Sequence, residues 1–180
     1  MEKSTIGFDQ HLSHEFDIDE PEVMDALESS LPWIGLVVVS FNRLENLLDQ
    51  AICEAFSDRS DSVGLLVIHS MQFGAKVELY RRLSDDLHML IGRQAVTYEG
   101  LIDDLKKAAN LRNLVVHANW GSTDAEGFTF TKVKVTSRGM VQEYHQLTQD
   151  SLLEVSRSID VTRSQLDLYI EERMAVIHDR

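Results

Sequence analysis

Apolar residues recur every three or four positions through most of the chain, and that period predicts helices. From Trp33 onward, Phe41, Leu44, Leu48, Ile52 and Phe56 mark one long amphipathic helix. Ahead of it, Pro21 suits the first turn of a short helix carrying Val23, Met24 and Leu27. The run Asp58-Arg59-Ser60-Asp61-Ser62 offers capping and turn residues without an apolar partner, so the chain should break there. A second helix then runs through Leu66, Phe73, Val77, Tyr80 and Leu83 to about His88, and Gly74 within it is a mild cost of the kind tolerated where helices approach closely. Thr97 offers an N-cap to a third helix bearing Leu101, Leu105, Ala108, Val115 and Val116, with Gly121 placed to stop it after Trp120.

Beyond Gly121 the period shortens to two. Phe128, Phe130, Val133 and Val135 lie among Thr and Lys, Ser137-Arg138-Gly139 makes a turn, and Met140 to Leu147 can return as the second strand of a small hairpin. Ser151 and Glu154 have the spacing of a capping box, followed by Leu152, Val155, Ile159, Leu166, Ile170 and Met174 on one helical face. Residues 1–20 are acidic and without sustained period, which predicts a mobile tail. The expected fold is therefore mainly α: a single domain over residues 21–180, a bundle of four or five helices with a β-hairpin before the last one.

Composition supports a packed soluble domain. Of 180 residues, 43% are hydrophobic and only 9 are Gly and 2 Pro, which excludes fibrous and wholly disordered chains. The net charge of −13 opposes non-specific adhesion to nucleic acid or anionic lipid. Residues 1–29 hold nine acids against Lys3, a balance of −8, so the remainder carries only −5. Between Arg93 and Arg138 seven bases outnumber five acids, and Lys106-Lys107 and Lys132, Lys134 and Arg138 are the candidates for a local anion-facing surface. The single Cys53 cannot form an intrachain disulfide, and a reducing cytoplasmic setting is expected. The acidic start lacks the pattern of a secretory signal. The longest apolar stretch, Leu31 to Val39, is interrupted by Pro32 and Gly35 and falls short of the roughly 20 residues that span a bilayer, so no membrane contact is expected.

Candidate chemistry concentrates in Asn110-Leu111-Arg112-Asn113-Leu114-Val115-Val116-His117-Ala118-Asn119-Trp120. Arg112 falls near the centre of the third helix's apolar face, where a guanidinium must find partners. Asn110, Asn113 and His117 form a polar stripe on the other side. Arg112 and His117 stand about 140° apart on an ideal helix, so a joint site needs the reach of Arg112, a distorted final turn or a second chain. The structural alternative is an ion-paired strut from Arg112 to Glu45 or Asp49, with His117 complementing the helix dipole.

The string Arg112-Asn113-Leu114-Val115-Val116-His117 resembles the Arg-four-residues-His motif of the HEPN superfamily, all-helical domains associated with nucleic acid. Phe41-Asn42-Arg43-Leu44-Glu45 in the first long helix and Gln72-Phe73-Gly74-Ala75-Lys76 in the second agree with that context, and the likeness covers about Trp33 to Trp120. The resemblance implies a HEPN-like domain over residues 21–180 acting as a metal-independent endoribonuclease, with two motifs brought together in a homodimer. His117 would be general base or acid for attack of the ribose 2′-hydroxyl on the adjacent phosphate, Arg112 would stabilise the phosphorane-like transition state, and Asn113 would orient substrate or imidazole. Glu45 would be a polar auxiliary from the first helix. Such enzymes occur in defence and toxin–antitoxin systems, so RNA and a cognate antitoxin or other partner protein are the expected partners, and no cofactor or metal is called for. The competing class is a non-catalytic dimerisation or nucleotide- or protein-binding module. His11-Leu12-Ser13-His14-Glu15 has ligand types at i and i+3, but within a flexible tail it reads as solvated chain.

Overall fold

The computed structural model describes residues 1–10, 20–56 and 60–178. Among them the chain forms five α-helices and three strands in the order β1 (Lys3–Gly7), α1 (Glu20–Phe56), α2 (Ser62–Ile68), α3 (Phe73–Ile91), α4 (Leu101–Val116), β2 (Phe128–Thr136), β3 (Gly139–Gln146) and α5 (Gln149–His178). The molecule is thus mainly helical, with a small antiparallel sheet. Two compact units are distinguished, one of Met1–Val38 with Leu111–Ser156 and the other of Val39–Asn110 with Arg157–Arg180. The boundary falls inside α1, α4 and α5.

The second unit is helical. Its interior is built from the positions that periodicity selects: Phe41, Leu44, Leu48 and Ile52 of α1, Val77 and Tyr80 of α3, Leu101 and Leu105 of α4, and Ile159, Leu166 and Tyr169 of α5 are all buried. Aromatic rings add an edge-to-face set, with Tyr98 and Tyr169 5.0 Å apart and His88 4.7 Å from Tyr98. Gly64 of α2 sits so close to α1 that an added Cβ would lie 2.5 Å from Cys53 Cα. Cys53 is a buried free thiol, pushed up by burial first and then by Asp61, Asp49 and Glu54.

Three element boundaries differ from the periodicity. The short helix at Pro21 and the long one at Trp33 are a single helix that passes through Pro32. The expected second helix is two, because the segment His69–Gln72 turns before α3 begins, and α3 ends on Gly92 in the left-handed region at φ 71°. Gly74 faces open space, so the glycine required by helix approach is Gly64. Thr97 does not cap α4. Its hydroxyl and backbone N–H both donate to Glu172 of α5, and α4 starts at Leu101.

Continuity through Pro32 also changes the membrane expectation. Among the described residues, Met24–Phe56 is long and apolar enough to cross a bilayer by length and composition, with a window of mean hydropathy 1.3. From Phe41 onward, however, its buried positions alternate with exposed Asn42, Arg43, Asn46, Gln50 and Glu54, the pattern of a helix packed on one side.

The first unit is organised by the sheet, of order β1-β3-β2. The expected hairpin is present as β2 and β3, but a third strand comes from the segment predicted to be a mobile tail. Lys3 to Gly7 pair with His145 to Val141, so the backbone groups of β3 are satisfied on both edges. The His11-to-Glu15 string lies outside the described residues. A bulge between Phe130 and Lys132 interrupts the β2–β3 ladder. Phe130 and Tyr144 pack edge to face at 5.7 Å on one side of the sheet. The cap on α5 is Thr148, whose hydroxyl accepts the Ser151 N–H at 3.4 Å, while the Ser151 hydroxyl donates to Gln146 O and Thr148 O instead of starting a capping box.

Candidate functional site

Residues of α4's last turn and the loop after it place the candidate groups. Periodicity carries the helix to Trp120, but it stops at Val116. The sheet competes for the chain beyond that point: Asn119 N–H donates to Phe130 O at 2.8 Å, and the Trp120 indole turns back to Val115 O at 3.1 Å. His117 is therefore the first residue past the helix, still held by its N–H to Asn113 O at 3.0 Å.

This geometry bears directly on the angular problem. The Arg112 stem is half-buried with Nε inside, while Nη1 reaches the surface and donates to Asn113 Oδ1 at 3.0 Å. Asn113 lies about 100° around the helix from Arg112 and only about 40° from His117. The guanidinium thus turns toward the neighbouring amide, the reach of Arg112 being one of the three routes open from sequence. His117 is exposed, and among the described residues nothing hydrogen-bonds its imidazole. The structure brings Arg112 and Asn113 together, while His117 follows one turn later at the helix end; a guanidinium, an amide and an imidazole are types suited to phosphate and proton transfer.

Glu45 belongs to the helical unit, where its Oε1 accepts Lys76 Nζ at 2.8 Å, and Asp49 Oδ2 accepts the same ammonium at 2.8 Å. The two carboxylates offered by the sequence as partners for Arg112 are thus both engaged by Lys76. Burial on its own would depress the Lys76 ammonium, but the hydrogen bonds it donates to Asp49 and Glu45, with their charges, outweigh it and hold the group above its ordinary value. Lys76 was legible by the same signal as Arg112: Phe73, Lys76, Val77 and Tyr80 follow the i, i+3, i+4, i+7 spacing of a buried face.

A second charged constellation was only half visible in the sequence. Lys3 of β1 donates to Glu143 Oε1 of β3 at 2.6 Å, while Lys132 and Lys134 of β2 stand 3.6 and 3.7 Å from the same carboxylate. Glu143 is buried, which raises its pKa, but the Lys3 hydrogen bond and the three ammonium charges prevail and hold it below the usual carboxylate range. Next to it, the Thr131 hydroxyl donates to Glu143 O at 3.0 Å and meets His145 Nδ1 at 3.0 Å. Burial, opposed by Glu143 and aided by Lys3 and Lys132, lowers the His145 pKa and keeps the imidazole neutral. Lys3 was missed because it stood in the acidic stretch read as a tail.

No protein-family model, curated protein or solved structure matches this chain. Its functional reading therefore rests on the residues themselves.

Proposed function

We propose that the protein is a metal-independent endoribonuclease of HEPN type, acting in the cytoplasm in a defence or toxin–antitoxin setting. The observation that carries this reading is the Arg112 hydrogen bond to Asn113, one turn from an exposed His117 whose ring is available. In the proposed reaction His117 removes the proton from a ribose 2′-hydroxyl, and the resulting oxygen attacks the adjacent phosphorus. The P–O5′ bond breaks, an imidazolium returns a proton to the leaving oxygen, and the products are a 2′,3′-cyclic phosphate and a 5′-hydroxyl. Arg112 offsets the charge that builds on the non-bridging oxygens, and Asn113 orients the guanidinium by accepting its Nη1 hydrogen bond. A homodimer supplies the second motif, so that one imidazole can serve as base and the partner's as acid.

The net charge of −13 favours a second reading, a non-catalytic dimerisation or nucleotide- or protein-binding module, because free RNA is repelled at long range. The two separate in one experiment. Purified wild type and His117→Ala are incubated with cellular RNA in excess chelator, and product ends are mapped. Cleavage by wild type leaving cyclic phosphate ends, lost in a folded His117→Ala, supports the enzyme. Intact RNA with wild type, or equal cleavage by both proteins, overturns it in favour of the binding module.

A further inference from the structure

The sheet of the first unit has two chemically different faces, and a bulge decides which residues each carries. Strict alternation along β2 from Thr129 would set Thr131, Val133 and Val135 beside Glu143 and His145. The extra residue at Thr131 shifts the phase, so that the register pairs Lys132 with Glu143 and Lys134 with Val141. On the far edge Lys3 pairs with His145, Thr5 with Glu143 and Gly7 with Val141. One face therefore presents Lys3, Lys132 and Lys134 around the buried Glu143. The other carries Phe130 and Tyr144 and a cavity of about 200 Å³ lined in part by Asp124 and Glu126.

The lysine face keeps a surplus of charge. The Glu143 side chain is 4% exposed and supplies one negative charge, whereas the side chains of Lys3, Lys132 and Lys134 are 45, 59 and 56% exposed. Three positive charges about one negative leave a local balance of +2 within a chain of −13. The neutral His145 does not alter that balance. Lys132 and Lys134, two residues apart on a strand, stand about 6.7 Å from one another along β2.

We infer that this lysine face is a docking surface for the phosphate backbone of single-stranded RNA, with Lys3, Lys132 and Lys134 as phosphate contacts and Glu143 as the internal counter-charge that partly offsets them. The choice of RNA rests on the proposed ribonuclease reading, but binding here is independent of cleavage. An acidic protein partner fits the face less well. A protein interface needs an apolar or aromatic centre, and the positions in register here are Lys, Thr, Gly, Val, Glu and His. With no Phe, Tyr or Trp at these positions and His145 buried, contact with the backbone is expected rather than stacking on bases.

The test is fluorescence anisotropy of a labelled single-stranded RNA with the full chain carrying His117→Ala, titrated at several salt concentrations. Each phosphate contact to a single strand contributes a slope of about −0.7 in log affinity against log salt. Lys132→Gln with Lys134→Gln leaves the 2.6 Å Lys3–Glu143 bond in place. Binding is expected to weaken several-fold, with a slope shallower by about 1.4. Glu143→Gln removes the counter-charge and is expected to tighten binding and steepen the slope. Unchanged affinity and slope in the double lysine variant overturn the proposal, as does polyglutamate displacing the RNA at lower concentration than unlabelled RNA does. Salt-sensitive binding through these lysines by a wild type that cleaves nothing overturns the nuclease reading and leaves the docking surface standing.

Discussion

Among the described residues, Lys76 of one unit and Glu143 of the other are buried charges, and the two are answered in opposite ways. In the helical unit a cation, Lys76, is ringed by two carboxylates, Glu45 and Asp49, at 2.8 Å each. In the sheet unit an anion, Glu143, is ringed by three ammonium groups between 2.6 and 3.7 Å. The helical cluster closes on itself: its two acceptors are only 29 and 25% exposed and both contacts are short. The sheet cluster is held by one short bond and opens outward through long, half-exposed lysine stems. Buried positions on helix faces have neighbours on all sides, so a charge placed there is answered locally. The central strand of a three-stranded sheet buries its side chains between two edges whose own side chains reach solvent, and any excess charge is displayed.

If the helical cluster is a closed structural unit, breaking it should cost most. Lys76→Met leaves two carboxylates facing each other with restricted access to water, and the expected loss is about 3 kcal/mol, at the lower end for a broken buried pair because the acids are partly hydrated. Urea denaturation with an unchanged m-value measures it. A loss well below 1 kcal/mol would erase the contrast between the units. The next largest effect tests the same closeness of packing without charge. Gly64→Ala places a methyl 2.5 Å from the Cys53 backbone and should cost about 1–3 kcal/mol as α2 is pushed away. Gly74→Ala, which enters open space in a helix, should be neutral or stabilising by about 0.5 kcal/mol. Glu143→Gln should cost about 1.5 kcal/mol, less than Lys76→Met, for the loss of a charged hydrogen bond, since the lysines it releases are free to hydrate.

Much of this arrangement was written in the pattern of residues. The helical core positions follow the 3.6 period because tertiary packing reinforces it. Even the bulge is legible in hindsight, since the step from Phe130 to Val133 is three positions where alternation demands a step of two. What periodicity could not supply was pairing. Lys3–Gly7 has no apolar alternation strong enough to announce a strand, and becomes one only because β3 has an unpaired edge to satisfy. The end of α4 at Val116 likewise depends on a bridge from Asn119 to Phe130, eleven residues on, which no local signal at Trp120 or Gly121 reveals. Of the site, Arg112, Asn113 and His117 were nameable from spacing. The side-chain bond that draws Arg112 toward Asn113 was not, because helical projection fixes where a stem leaves the backbone and leaves a long guanidinium arm free to turn.

The smallest expected effect distinguishes the clusters by sign. Glu143 is held below its ordinary carboxylate value, so the stability it contributes is present above about pH 4.3 and is lost as pH falls through its folded-state pKa. Lys76 is held above its ordinary ammonium value, so its contribution is complete below about pH 10.4 and is lost as pH rises through the folded-state value. Two variants should therefore flatten opposite ends of one curve. Thermal melts from acid to alkaline pH are expected to show Glu143→Gln with a shallower acid decline and an unaltered alkaline one, and Lys76→Met with the reverse. If both variants shift the curve downward uniformly, neither charge is differentially held by its neighbours. The opposition between an inward cation and an outward anion would then be one of geometry alone, without the electrostatic consequence drawn from it.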